Sequence, residues 1–350
     1  MTTTPNYIVT TGDFITEWME DAGINAAELA RRLGVTRKHV SELLNGKAPL
    51  SAKLALALEG VTGVPARIWN QYEAGYREDL ARADAEKELV EQFEQATAFP
   101  LRYLRENGAI TASARDHAGT VRQLLSFFGV ASLEAWRATW TQGSVAYRRS
   151  AVARDDAPLL ATWLTMAERA HRGESLPPFD RAALEALVPR LRQLTPEEPP
   201  ASVHETVRLL ADVGVVLRFV PPVAGLGIYG ATRWVDSHPL IQLSLLRKTD
   251  DQLWFTLFHE LGHVLLHGDD KKLHLNGEDD AAEDEANAYA AEVLIPSEYL
   301  SRLPAGRNLA AVVDLASELG IAPSIVLGRA QRETGDHAWG HALKRTFEFA

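Results

Sequence analysis

No stretch of the chain limits its fold as tightly as Phe255 to His267, FTLFHELGHVLLH, which carries His259, Glu260 and His263. On a helix, residues four apart sit one above the other, so both imidazoles can reach a single metal ion without distorting the backbone. Trp254, Leu257, Phe258, Leu261, Val264 and Leu265 recur at helical spacing as an apolar stripe, and the two histidines with Glu260 fall on the opposite side. The pattern predicts an amphipathic helix whose zinc-clamping face lines a cleft rather than a core. A helix that merely exposes histidines is the bland alternative, and the agreement in phase between stripe and pair weighs against it.

Two histidines leave a zinc site short of its usual three protein ligands plus water. The chain has no cysteine, so the third ligand must be histidine or carboxylate, and disulfides and thiolate chemistry are excluded. His267 lies two turns beyond His259 on the same helix and reads as an outer residue. His274 falls in the acidic segment 268–280. A better source is the next helix, Glu283 to Leu294, EDEANAYAAEVL, whose alanines at 286, 288, 290 and 291 permit close packing on the metal helix. Glu285, Tyr289 and Glu292 share one of its faces, but spacing alone does not separate Glu285 from Glu283, Asp284 or Glu292.

The surroundings are those of an ordinary soluble protein. At 350 residues, 46% of them hydrophobic and 24% charged, the chain has room for two or three domains with real cores. It has no apolar run of about eighteen residues and no basic-then-apolar amino terminus, which predicts a cytoplasmic protein without a membrane partner. A net charge of -11 argues against a surface coated for nonspecific nucleic-acid binding, but leaves room for a local basic patch.

Such a patch lies near the amino terminus. Asn25 with Glu28 opens a short helix that Gly34 closes; Thr36 opens a second, with Val40, Leu43 and Leu44 on its apolar side and Gly46 after it. Ser51 and Pro65 open two more. The stretch AELARRLGVTRKHVSELLNGK resembles the helix-turn-helix of Xre-type repressors, particularly the HigA-like antitoxins. The resemblance implies that the second helix enters the major groove of operator DNA with Thr36, Arg37, Lys38, His39 and Ser41, flanked by Arg31, Arg32 and Lys47. Solvated charges on a bundle that binds protein are the alternative, because the fold alone does not establish DNA contact.

Beyond it, Glu73 to Gln95 reads as one long exposed helix, followed by helices at Arg115–Phe128, Ser132–Thr139, Asp155–His171 and Asp180–Leu194. Trp136, Trp140 and Trp163 read as core anchors. The TPEEPP stretch from Thr195 to Pro200 is the expected boundary before a further core: a helix at Ala201–Val213, strands at Val215–Val220, Ile228–Val235 and Leu240–Leu245, then the metal helix. The two later strands are the expected wall for strand addition by a substrate.

HELGHVLLH, EDEANAYAAEVLIP and IAPSIVLGRAQRETG together resemble the ImmA/IrrE family of metallopeptidases, over about residues 200 to 340. The resemblance implies a gluzincin-like α+β core, with His259, His263 and Glu285 as ligands of a Zn2+ cofactor and Glu260 as the catalytic base. It also implies a repressor-type protein as substrate, cleaved to release stress, phage or mobile-element genes. The expected architecture is α+β and predominantly helical: an all-α helix-turn-helix domain at 1–75, a helical middle region at 76–198, and a peptidase domain at 199–350 with a small, mostly antiparallel sheet. Tyr229, His238, His267 and Tyr289 are the candidates for oxyanion stabilisation. The competing expectation is a HigA-like antitoxin and repressor with a toxin partner, in which the metal domain is structural or sensory and nothing is cleaved; on either reading a homodimer is a candidate assembly. Glu260, which a structural zinc site has no need of, leans toward catalysis.

Overall fold

A computed structural model describes residues 8–142, 157–268, 273–275 and 281–347. The chain divides into two compact units, one formed by residues up to Glu94 with Ser113–Arg122, the other by Gln95–Ala112 and everything from Gln123 onward. The architecture is α+β and mostly helical.

The first unit contains α1 (Thr11–Asp21), α2 (Ala26–Leu33), α3 (Arg37–Leu44), α4 (Ala52–Thr62) and α5 (Ala66–Glu91). Its short helices are set by their caps. The Asn25 side chain accepts from the Glu28 amide at 3.0 Å, Gly34 ends α2 in the left-handed region, and the Thr36 hydroxyl accepts from the His39 amide at 3.1 Å. Ile15, Leu29, Val40, Leu43, Leu58 and Trp69 close the core. The start of α1 lies so close to the end of α3 that a β-carbon on Gly12 would collide with the Leu44 carbonyl. The helix opened by Pro65 and the long helix expected from Glu73 are one continuous element. Gly75 does not interrupt it, because Trp69 is buried in the core and Glu73 accepts a buried hydrogen bond from the Thr11 hydroxyl at 2.6 Å, and these contacts outweigh one glycine's helix penalty.

The chain continues through α6 (Phe93–Ala96), α7 (Leu101–Glu106), α8 (His117–Phe128), α9 (Leu133–Arg137), α10 (Ala157–His171), α11 (Arg181–Gln193) and α12 (Ala201–Asp212). The expected helix start at Asp155 lies outside the described residues, as does most of segment 268–280. Strands β1 (Val216–Phe219), β2 (Gly230–Val235), β3 (His238–Leu243) and β4 (His274–Leu275) form one sheet in the order β1-β3-β2-β4. The β1–β3 pairing is parallel and the other two are antiparallel, so the sheet is mixed and mostly antiparallel, as expected. Asp236 and Ser237 join β2 to β3 with φ of 48° and 71°, the two positive values of a tight hairpin turn. The expected wall for strand addition is altered, because β4 already pairs with β2 at Ala231 and Thr232.

Four more helices complete this unit: α13 (Asp250–His267), α14 (Ala281–Leu294), α15 (Leu309–Leu319) and α16 (Pro323–Thr334). Helix α13 packs against β2, β3, α14 and α16. Its two first-turn carboxylates are buried and paired from the far end of the sequence, Asp250 by Arg345 at 3.0 Å and Asp251 by Lys344 at 2.6 Å. Acids at a helix start complement its dipole, and their partners offset the cost of burial. Among the described residues no helix is long and apolar enough to cross a membrane.

Candidate metal centre

His259 and His263 point from α13 toward α14 with their Nε2 atoms 3.1 Å apart. Glu283 meets them from the first turn of α14, its Oε1 2.9 Å from His263 Nε2 and its Oε2 3.3 Å from His259 Nε2. All three are buried. Bonds of about 2.0–2.2 Å place the donors of a tetrahedral ion about 3.3–3.6 Å apart, a few tenths of an ångström wider than most of the separations here, so two imidazoles and a carboxylate so placed fit a zinc-sized divalent cation with a slight opening of the three side chains.

The outer hydrogen bonds fix which ring nitrogens face inward. The Asn287 amide oxygen lies 3.1 Å from His259 Nδ1 and can only accept, so Nδ1 carries the proton and Nε2 presents its lone pair. On the other ligand, His263 Nδ1 lies 3.2 Å from His267 Nδ1, and His267 Nε2 lies 3.0 Å from Glu285 Oε2. With His263 Nε2 turned inward, His263 Nδ1–H donates to His267, and His267 Nε2–H donates to Glu285. The His274 ring stacks on His263 at 4.3 Å. Burial lowers the pKa of His263 against the pull of Glu283, which keeps the ring neutral and able to coordinate at pH 7. At His259 burial also works downward, but the Glu283 and Glu260 carboxylates outweigh it and the net shift is upward. Burial would raise the Glu283 pKa, yet the two imidazoles set against its oxygens hold it down at about 2.

Glu260 is fully buried beside this group. Its Oε2 accepts from the Thr232 hydroxyl at 2.7 Å, while Oε1 has no partner. Gly230, two residues before Thr232 and on the same face of β2, makes room for that free oxygen, since a β-carbon there would overlap it. Burial raises the Glu260 pKa to about 7, against the opposing effects of His259 and Thr232. A buried, unsatisfied carboxylate oxygen is costly, and groups of this kind concentrate where chemistry is done.

On the helix-turn-helix, Thr36, Arg37, Lys38 and Ser41 are exposed along the outer side of α3 and His39 is half-buried, while Val40 and Leu43 face the core. Arg31 and Arg32 both pair with Glu28, and Lys38 reaches Glu42 at 3.7 Å. Among the described residues no carboxylate pairs with Arg37 or Lys47.

Residues 15–69 match the helix-turn-helix family, and residues 214–330 match a peptidase family described as the IrrE N-terminal-like domain. The chain joins a helix-turn-helix domain to an IrrE-like peptidase-family domain. A search of curated proteins gives no match.

Within the IrrE-like domain the structure departs from two expectations. The acid brought to the histidine pair is Glu283. Glu285 is exposed and faces His267 instead, because two residues turn an α-helix by about 200° and carry its side chain to another side. Among the other acids weighed, Asp284 is exposed, and Glu292 is exposed and accepts from the Ser297 amide. The signal for Glu283 lay in the small-residue stripe: Ala286, Ala290 and Leu294 are buried, and Glu283 and Asn287 share their side of α14. The second departure is burial. The polar side of α13 is enclosed by α14 and β2 and does not line an open cleft, so His259, Glu260 and His263 are as inaccessible as the apolar stripe.

Thr232 and Gly230 gave no sequence signal of their own, and Asn287 stood out only as part of the EAN run in the family resemblance. Each acts through a residue it meets only after the chain has folded. Of the oxyanion candidates, His238 is engaged by the Gly214 carbonyl at 3.0 Å and His267 by His263 and Glu285. Tyr289 lies against α13 at Gly262, its pKa pushed to about 12 by burial. The Tyr229 ring lies beneath the Arg247 guanidinium.

Proposed function

We propose that the IrrE-like domain is a zinc-dependent endopeptidase, that the helix-turn-helix binds operator DNA, and that the protein regulates transcription in the cytoplasm by cleaving a repressor-type protein. The observation that carries this reading is the unpartnered Oε1 of Glu260, buried beside a convergent His259, His263 and Glu283. A zinc ion held by those three would supply Lewis acidity, polarising a scissile carbonyl and acidifying water.

Glu260 takes the water proton on its free oxygen and passes it to the leaving amine, a role suited to a carboxylate whose pKa is raised to about 7. Thr232 holds the other oxygen and so sets the direction of the acceptor. Asn287 and His267 hold the ligand rings in the tautomers that present Nε2. Exposed Arg37, Lys38 and Ser41 with half-buried His39 are the proposed contacts to DNA.

Glu260→Gln preserves side-chain size and removes the proton acceptor. Cleavage of repressors encoded nearby should fall by roughly a hundredfold to ten-thousandfold, with zinc content and DNA affinity near wild type. Mass spectrometry of the reaction products decides it. A regulatory response that the variant fully preserves, with no cleavage by either protein, would leave the antitoxin-like repressor with a structural metal.

A further inference from the structure

A cavity of about 480 Å3 lies outside the metal centre, between the start of α13, the end of α14 and α16. Its floor is apolar, built by Phe255, Leu294, Ile295 and Ile325. Its walls are cationic, with Arg247, Lys248, Arg329, Arg332 and Lys344 against the single carboxylate of Asp251. That carboxylate already takes Lys344 at 2.6 Å, and Arg329 takes Glu333 at 2.8 Å. Among the described residues no carboxylate pairs with Arg247, Lys248 or Arg332.

In a chain of net charge -11, three uncompensated cations around an apolar floor are not a by-product of general basicity. Arg332 has a bland explanation, since a cation in the last turn of α16 complements the helix dipole. Arg247 and Lys248 have the opposite problem. They stand just ahead of α13, where the dipole is positive and cations are unfavourable, and the first-turn acids that would offset them are occupied by Arg345 and Lys344. All three cations are exposed, and a negative group placed in the cavity would be attracted by each of them.

We propose that this cavity binds a small organic anion, with an apolar body on Phe255, Leu294, Ile295 and Ile325 and a carboxylate, sulfonate or phosphate head at Arg247, Lys248 and Arg332. The volume lies in the range of sites that enclose molecules of drug size. Phe255 stands one turn before His259 on α13 and Ala291 one turn after Asn287 on α14, so an occupant touches both helices of the metal centre. The binding site stands whether or not the chain cleaves peptides.

The probe is anilinonaphthalene sulfonate, titrated by fluorescence into the full chain, with neutral phenylnaphthylamine as the same rings without the charge. Saturable binding at about one probe per chain is expected, with the neutral compound weaker by about tenfold or more. Lys248 and Arg332 are exposed, so Lys248→Glu and Arg332→Glu should keep their helical content by circular dichroism and each lose about tenfold or more in affinity. The control Arg190→Glu, an exposed charge on α11, should bind as wild type. At about a hundred times the dissociation constant the probe should raise the melting midpoint by roughly 5–10 °C. No saturable binding, equal affinity for the neutral compound, or an equal loss in Arg190→Glu would overturn the proposal.

Discussion

The acid that joins the histidine pair is decided by two positions on one helix. Glu283 touches both imidazoles and Glu285 touches only His267, although both precede the same Ala-Asn pair. Glu283→Ala should therefore lose most of the bound zinc, because two histidines alone fall short of a zinc site's usual complement. Glu285→Ala should keep the metal with affinity lower by about tenfold to a hundredfold, the usual effect of losing a hydrogen bond outside the ligands themselves. Elemental analysis and competition with a chelator separate the two, and equal loss in both variants would return Glu285 to the ligand set. The histidine pair was legible from spacing because both ligands ride on one helix. The third was not, because it depends on how α14 is rotated against α13, and that rotation is set by Ala286 and Tyr289 meeting Gly262 rather than by any ligand.

Elements were easiest to read where their ends carry their own chemistry. The short helices of the first unit begin at Asn25, Thr36 and Ser51, each with a side chain capping its own helix, and Gly34 and Gly63 end two of them at positive φ. Apart from the packing of α14 on α13, which its alanines announced, contact between elements was not legible in the sequence. The meeting of α1 with α3 rests on the absence of a side chain at Gly12, and β4 on the edge of β2 is a pairing of two residues that periodicity cannot register. A paired substitution distinguishes the helix that reads DNA from the scaffold that presents it. Gly12→Ala should cost about 1–3 kcal/mol by overpacking against Leu44, seen as a lower melting midpoint of the first unit. Arg37→Ala should leave that midpoint unchanged and weaken DNA binding by about 1–3 kcal/mol if it contacts a base, as fluorescence anisotropy on the upstream region would report.

For the whole molecule, division into two units with separate cores predicts two thermal transitions. On the proposed function, zinc would bind the folded unit that holds His259, His263 and Glu283 and have little hold on its unfolded chain. Chelation should therefore lower that unit's transition and leave the helix-turn-helix transition in place. Differential scanning calorimetry with and without a chelator measures both in one experiment, and a parallel fall of both transitions would count against the assignment.

The seat of Glu260 ties chemical competence to strand alignment. Gly230 and Thr232, which flank its carboxylate, lie on a hairpin whose register is set at Asp236 and Ser237, at the far end of β2. A slip of one residue would offer Ala231 and Arg233 in their place, a methyl group where there is no room and a guanidinium where a hydroxyl belongs. On the proposed function, a hairpin closed one residue out of step would leave His259, His263 and Glu283 in place and disable the proton acceptor, so fidelity in forming a two-residue turn would double as quality control on the Glu260 carboxylate.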